Sequence, residues 1–217
     1  MVIVFIGPPG SGKGTQAQIL KDSLLPNLNL LTVSSLLKEK SEDGSLLGDD
    51  IKKKMDNGDL IDDNIVISVL NEKVQNLNNE QILIDGFPRS SNQAESLNNI
   101  FNNLDVSIIN FIVSDEKLLE RIKKRSLEES RADDSVFEKR LAIYKKSHNE
   151  IINSLNKYYK VIDIESDGEI SFISQKIAEK LGLNWYILYW LLNAFLIISP
   201  IQEISIGKNS RSKFTRK

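Results

Sequence analysis

Apolar residues follow two alternating rhythms along this chain. Short runs rich in β-branched residues lie at Val2–Ile6, 30–33, 82–84, 107–113 and 161–164, and each gives way to a longer amphipathic or charged stretch. Runs of that kind followed by helical stretches predict a parallel sheet covered by helices. Helices are expected after Gly12, near Ser34, after Asp63, near Ser90, at Asp115, after Asp134 and after Asp167, several with Ser or Asp placed as the N-cap. The Asn-rich patches "NLNNEQ" and "NNIFNNLD" read as solvated helix ends and loops. The composition shifts sharply only after Gly182, which puts a boundary between residues 1–183 and a tail of residues 184–217.

Length and charge narrow the picture. A chain of 217 residues can bury one sizeable core with small inserted lobes, and a net charge of -2 gives no global pull toward nucleic acid. There is no cysteine, so disulfides and thiolate metal sites are excluded, and the single histidine, His148, cannot build a zinc cluster. His148 reads as a surface or helix-packing residue, and the cysteine-free composition fits a reducing cytoplasm. Residues 1–6 lack a basic lead and a cleavage site and run straight into a glycine loop, so they read as a strand rather than a signal peptide.

That loop, "GPPGSGKGTQ" at residues 7–16, carries the chemistry. A strand ending at Gly7, a turn through Pro8, Pro9 and Gly10, and a helix starting near Lys13 direct several backbone N–H groups at one small volume, where the helix N-terminus adds positive potential. Such a volume suits a phosphate. Glycines at 7, 10, 12 and 14 let the backbone approach the anion, with Ser11 between them; Lys13 adds a point charge for β and γ phosphates, and Thr15 can ligate magnesium.

Gly14 stands where Ser or Thr usually follows the lysine of a phosphate loop, and with this variant the segment resembles the adenylate kinase family of nucleoside monophosphate kinases. Four further segments carry the resemblance to about residue 182. "LTVSSLLK" stands where the family has Ser-Thr-Gly-Asp, two apolar residues and Arg; Val33 replaces a threonine that contacts the acceptor base, Ser34 and Ser35 replace Gly and Asp, and Lys38 replaces an arginine that grips the acceptor phosphate. Lysine keeps the charge and loses the bidentate fork, which predicts weaker acceptor binding. "MDNGDLIDDNIV" matches a loop lying against the acceptor base through Gly58, Leu60, Ile61 and Asp63; the same residues read as a helix C-cap at Gly58 and an N-cap at Asp63. "ILIDGFPRSSNQAE" delivers Asp85 at a strand end to hold a magnesium-bound water, with Gly86 and Arg89 at the acceptor and Gln93 resembling the family residue that reads adenine. The stretch from Glu120 to Tyr144 holds the lid. Only five residues separate Arg125 from Arg131, a short lid with no zinc lobe; Ser130 replaces a glycine. Arg125, Arg131 and Arg140 correspond to groups that close on the transferring phosphoryl. The span from Arg131 to Arg140 is two residues shorter than the family spacing, about 200° of helix rotation, so Arg140 ranks below the other two.

The resemblance implies an α/β P-loop nucleoside-kinase fold: a parallel five-stranded sheet flanked by helices, a helical acceptor-binding insert at 31–60 and a short lid at 122–135. It also implies Mg2+-dependent phosphoryl transfer from ATP to AMP by a cytoplasmic monomer. ATP would meet Gly10, Ser11, Gly12, Lys13, Gly14, Thr15 and Arg125. AMP would meet Val33, Lys38, Leu60, Ile61, Gly86, Arg89, Gln93, Arg131 and Arg140. Gln93 and Ala94 favour AMP, Val33 keeps UMP or CMP open, and the substitutions at 33, 35 and 38 keep open a weakly active or non-catalytic homologue. A nucleotide switch or transport ATPase would share the phosphate loop, but the chain has no Asn-Lys-x-Asp guanine reader and "DGFPR" is foreign to those classes. Beyond the resemblance, the 22 residues between Lys180 and Glu203 carry no charge. Three readings of the tail stay open: a packed apolar helix, a membrane or interfacial anchor, or an aberrant extension.

Overall fold

The computed structural model describes residues 1–77, 80–102, 104–128 and 137–183, and within 122–128 only the Lys123 side chain. The five apolar runs form one parallel sheet in the order β2-β3-β1-β4-β5, from β1 (Val2–Ile6), β2 (Asn29–Thr32), β3 (Ile82–Asp85), β4 (Val106–Ile112) and β5 (Val161–Glu165). β1 is central and buried on both faces. Val2, Val4 and Ile6 pack toward α2 (Val33–Ser41), α4 (Asp63–Gln75), α5 (Ser91–Ile100) and α7 (Phe137–Leu155), whereas Ile3 and Phe5 pack toward α1 (Lys13–Ile19) and α8 (Ile170–Lys180). With both faces covered, β1 dispenses with polar alternation, whereas the edge strand β5 keeps Asp163 and Glu165 exposed.

Several expected boundaries move, each for a local reason. Val33 leaves the predicted strand and opens α2, where its side chain is buried against the same core. A separate helix, α3 (Leu46–Asp56), stands between α2 and Gly58; Ser45 caps it by accepting the Gly48 N–H at 3.0 Å. It ends as the sequence suggests at Gly58, whose N–H bonds Met55 O at 3.0 Å while Asp59 N–H bonds Lys54 O at 2.9 Å, a paired helix-stop motif. Asp63 is not the N-cap of α4: Asp62 holds that position, and Asp63 is the first helical residue. α8 starts at Ile170 after Glu169, while Asp167 accepts the Ser114 N–H at 3.0 Å and ties the end of β4 to the chain beyond β5. Within the Asn-rich stretch after α5, Phe101 is buried rather than solvated.

α1 runs on into a π-helical turn, Leu20–Leu24. The stretch expected to form the lid, 122–135, begins within helix α6 (Asp115–Glu128); residues 129–136 lie outside the described residues, as does the tail 184–217. Among the described residues no helix is long and apolar enough to cross a membrane.

Candidate active site

The C-terminal ends of β1 and β3 meet at the centre of the sheet, with Phe5 in register with Asp85. Here β1 runs on to β2 on one side of the sheet and β3 runs on to β4 on the other, and strand ends whose connections part in this way are the usual place for a ligand crevice in an open parallel sheet. A cleft of about 850 Å³ opens there. Its wall brings together Gly10, Ser11, Gly12, Lys13, Gly14 and Thr15 from the loop, Val33 from α2, Leu60 and Ile61 from the turn between α3 and α4, Asp85 at the end of β3, Gly86, Arg89 and Gln93 beyond it, and Arg140 from α7. Lys38 is not on that wall; it is exposed on the outer side of α2. Arg131 lies outside the described residues, and Arg125 is described only as a backbone position in α6.

Gly12 occupies the N-cap of α1 in a left-handed conformation with no side-chain cap, so the first N–H groups of that helix face the loop interior. Lys13 folds back across the loop. Its Nζ donates to Gly7 O at 2.9 Å, Pro8 O at 2.8 Å and Ser11 Oγ at 3.2 Å. Burial pushes the Lys13 ammonium down to about 8; Asp85 opposes that shift, while the Arg89 and Arg140 guanidiniums add to it. Burial likewise raises the Asp85 carboxyl, against the pull of Lys13, Arg89 and Arg140. Both directions record the same condition: charges partly withdrawn from water at the end of the glycine loop.

A Cβ added to Gly14 would lie 3.7 Å from Asp85 Oδ2, so the carboxylate stands beside the first turn of α1. Arg89 lies over Gly86, with its Nε donating to Gly86 O at 2.9 Å. At φ +90, and with Arg89 Nη2 only 3.1 Å from where a Cβ would sit, position 86 admits no side chain without displacing the arginine. Arg140 faces into the cleft despite the shortened span before it, close enough to act on both Lys13 and Asp85.

Two groups on the wall escaped the sequence reading. Arg121 of α6 donates to Ser11 O at 3.2 Å and to Ser166 O, bridging the phosphate loop and the segment after β5. A basic residue on a charged helix gives no local sign of such a bridge. His148, expected on the surface or in helix packing, lies on the cleft wall and stacks on Tyr144 with ring centroids 4.9 Å apart. Burial lowers the His148 imidazole, and nearby Asp163 opposes it; burial raises the Tyr144 hydroxyl.

Comparison with known proteins agrees with this geometry. The family model described as adenylate kinase matches residues 5–162. An adenylate kinase of Prochlorococcus marinus (strain NATL2A) is 32% identical over 183 residues, 83% of this chain and 98% of the relative. One from Synechococcus sp. (strain WH7803) is 33% identical over 185 residues, again 83% and 98%. One from Leptospira biflexa serovar Patoc (strain Patoc 1 / Ames) is 36% identical over 137 residues, 61% of this chain and 73% of the relative.

Proposed function

This chain belongs to the adenylate kinase family, and on that premise we propose that its cleft transfers the γ-phosphoryl group of ATP to AMP, giving two ADP, in a reversible reaction. The observation that carries this reading is that Lys13, Arg89 and Arg140 share one cleft wall with a half-buried carboxylate, Asp85, at the mouth of the glycine loop. One anionic group moves between two others in this reaction, so positioned cations are its main requirement.

An oxygen of the AMP phosphate attacks the γ-phosphorus in line, the bond to the β–γ bridging oxygen breaks, and ADP leaves. Lys13 neutralises charge on the β and γ phosphates. Arg89 holds the acceptor phosphate; Arg140, with Arg125 and Arg131 of the lid, meets the transferring group. The acceptor is already an anion, so no general base is needed and His148 has no proton to take. Lid closure excludes water, which would otherwise accept the phosphoryl group.

The family generally works with Mg2+ and ATP, and the residues here fit that ion. Thr15 on the cleft wall and Asp85, through water, are the hard oxygen donors beside the loop that would hold it. Mg2+ held there would neutralise charge on the β and γ oxygens. Residues 1–183 form the catalytic unit, with the acceptor lobe at 31–60 and the lid at 122–135, and the enzyme works as a cytoplasmic monomer. A coupled assay with ATP and each of AMP, CMP, UMP and GMP tests the reading. The highest kcat/KM is expected with AMP, and ATP turnover independent of any acceptor would refute it.

A further inference from the structure

Gln93 lines the acceptor side of the cleft but is only 3% exposed, and its carboxamide is held at both ends. Oε1 accepts the Arg89 backbone N–H at 2.7 Å, and Nε2 donates to Asp63 Oδ1 at 2.7 Å. Neither partner can exchange its role: a peptide N–H only donates and a carboxylate only accepts. Turning the amide by 180° would set N–H against N–H and oxygen against carboxylate. One orientation is therefore selected, by two partners that agree.

Asp63 is itself anchored. Its Oδ2 accepts from Ser90 Oγ at 2.6 Å and from Asn92 Nδ2 at 3.4 Å, and Ser90 Oγ in turn accepts the Gln93 backbone N–H at 3.1 Å. The bonds close a ring through Asp63, Ser90 and Gln93 that ties the first turn of α4 to the first turn of α5. Asp63 does not reach the cleft wall, so whatever it does to a ligand it does through Gln93.

A carboxamide has two N–H groups and two lone pairs, and the anchoring bonds use one of each. One donor and one acceptor remain for the base. Adenine and hypoxanthine share a ring shape and carry reversed edges. In adenine the ring N1 accepts and the 6-amino group donates; in hypoxanthine N1–H donates and the 6-oxygen accepts. An amide free to turn would serve both edges, and a fixed amide serves one.

We propose that Asp63 is a positioning residue that determines base choice, locking the Gln93 amide so that the acceptor site selects a 6-aminopurine monophosphate over its 6-oxo counterpart. This rests on the reading that AMP is the acceptor and that Gln93 faces its base. The sequence puts Asp63 in a loop beside the acceptor base and at a helix start, and neither reading names Gln93 as its partner.

The test is steady-state kinetics with ATP and either AMP or IMP, on the wild-type chain and on Asp63→Ala, Asp63→Ser, Asp63→Asn and Gln93→Ala. The expected result is an AMP-to-IMP ratio of kcat/KM that falls about ten-fold in Asp63→Ala and Asp63→Ser, the loss expected when one buried hydrogen bond no longer fixes the amide. Asp63→Asn restores most of the ratio, because its Oδ1 can accept from Nε2 while its Nδ2 donates to Ser90 Oγ. A purely structural tie between α4 and α5 would lower both substrates together. An unchanged ratio in the Ala and Ser variants overturns the proposal. Should Asp63→Ala fail to fold, the Ser and Asn pair carries the same comparison with a polar group kept at the helix start. Gln93→Ala is expected to lose the ratio too; if it does not, the amide does not read the base and the proposal falls while the kinase reading stands. A wild-type chain that forms no ADP from ATP and AMP refutes the kinase reading itself.

Discussion

Replacing Gly7 with alanine tests whether the phosphate loop has its shape because the sheet beneath leaves no room for another. Gly7 has φ +147, and a Cβ there would lie 2.8 Å from Phe111 Cβ, 3.0 Å from Phe111 O and 3.1 Å from Ser11 Oγ. The first two are backbone or next to it and cannot swing aside. Phe111 is fully buried on β4 and meets Phe5 of β1 edge-on, with ring centroids 5.0 Å apart. Gly44 is the control, with φ +76 and nothing within 4 Å of an added Cβ. Both substitutions incur the backbone penalty of about 1–2 kcal/mol for an L-residue at positive φ. Only Gly7→Ala adds overpacking, about 1–3 kcal/mol. Denaturant unfolding should therefore give a loss of about 2–5 kcal/mol for Gly7→Ala against about 1–2 kcal/mol for Gly44→Ala. Gly7 O also accepts from Lys13 Nζ, so Gly7→Ala should raise the KM for ATP and Gly44→Ala should not. Equal stability losses in the two variants would mean that contact with β4 does not constrain the loop.

Lys13→Ala should lower kcat by about 10²–10³ or more, as expected for removing a cation aimed at developing charge, while the thermal transition stays cooperative; near wild-type turnover would remove Lys13 from the site. In the free enzyme Lys13 is lowered to about 8, so it is charged below that pH and neutral above it. The kcat/KM for ATP should thus fall as pH rises through about 8, whereas kcat persists to higher pH because bound phosphate favours the ammonium; a kcat/KM flat to pH 10 would refute this. A chain ending at Leu183 should keep its ADP-forming activity and gain solubility, because the glycine loop, Asp85, Arg89 and Arg140 all lie upstream and Leu181 and Leu183 still pack on the core. Unfolding of that shorter chain would place the tail in the core.

The sheet was legible because its central strand is buried on both faces and reads as an unbroken apolar run, and the outer strands keep shorter apolar runs of the same kind; Val2–Ile6 needed no other signal. α3 was not, because its first apolar residues point outward: Leu46 is 90% exposed, and Ile51 is fully buried with little else apolar beside it. Val33 misled because a buried β-branched residue at a helix start looks like the end of a strand. The glycine loop and "DGFPR" announced the cleft because each packs its chemistry into a few consecutive residues. Arg121, bonded to carbonyls 110 and 45 positions away, and Asp63, bonded 27 and 30 positions away, act through partners that no local pattern names. Arg140 shows the opposite limit: counting helical rotation across the shortened span argued against it, and the path of the chain into α7 brings it to the cleft.

Transfer between nucleotides is tested most directly by following ATP and AMP with the purified chain and Mg2+ by phosphorus NMR. The account predicts that the γ-phosphate signal of ATP and the AMP signal fall together while ADP appears at two per AMP consumed, and that ADP alone regenerates ATP and AMP. Release of inorganic phosphate without loss of AMP, or no change in either signal, would contradict it.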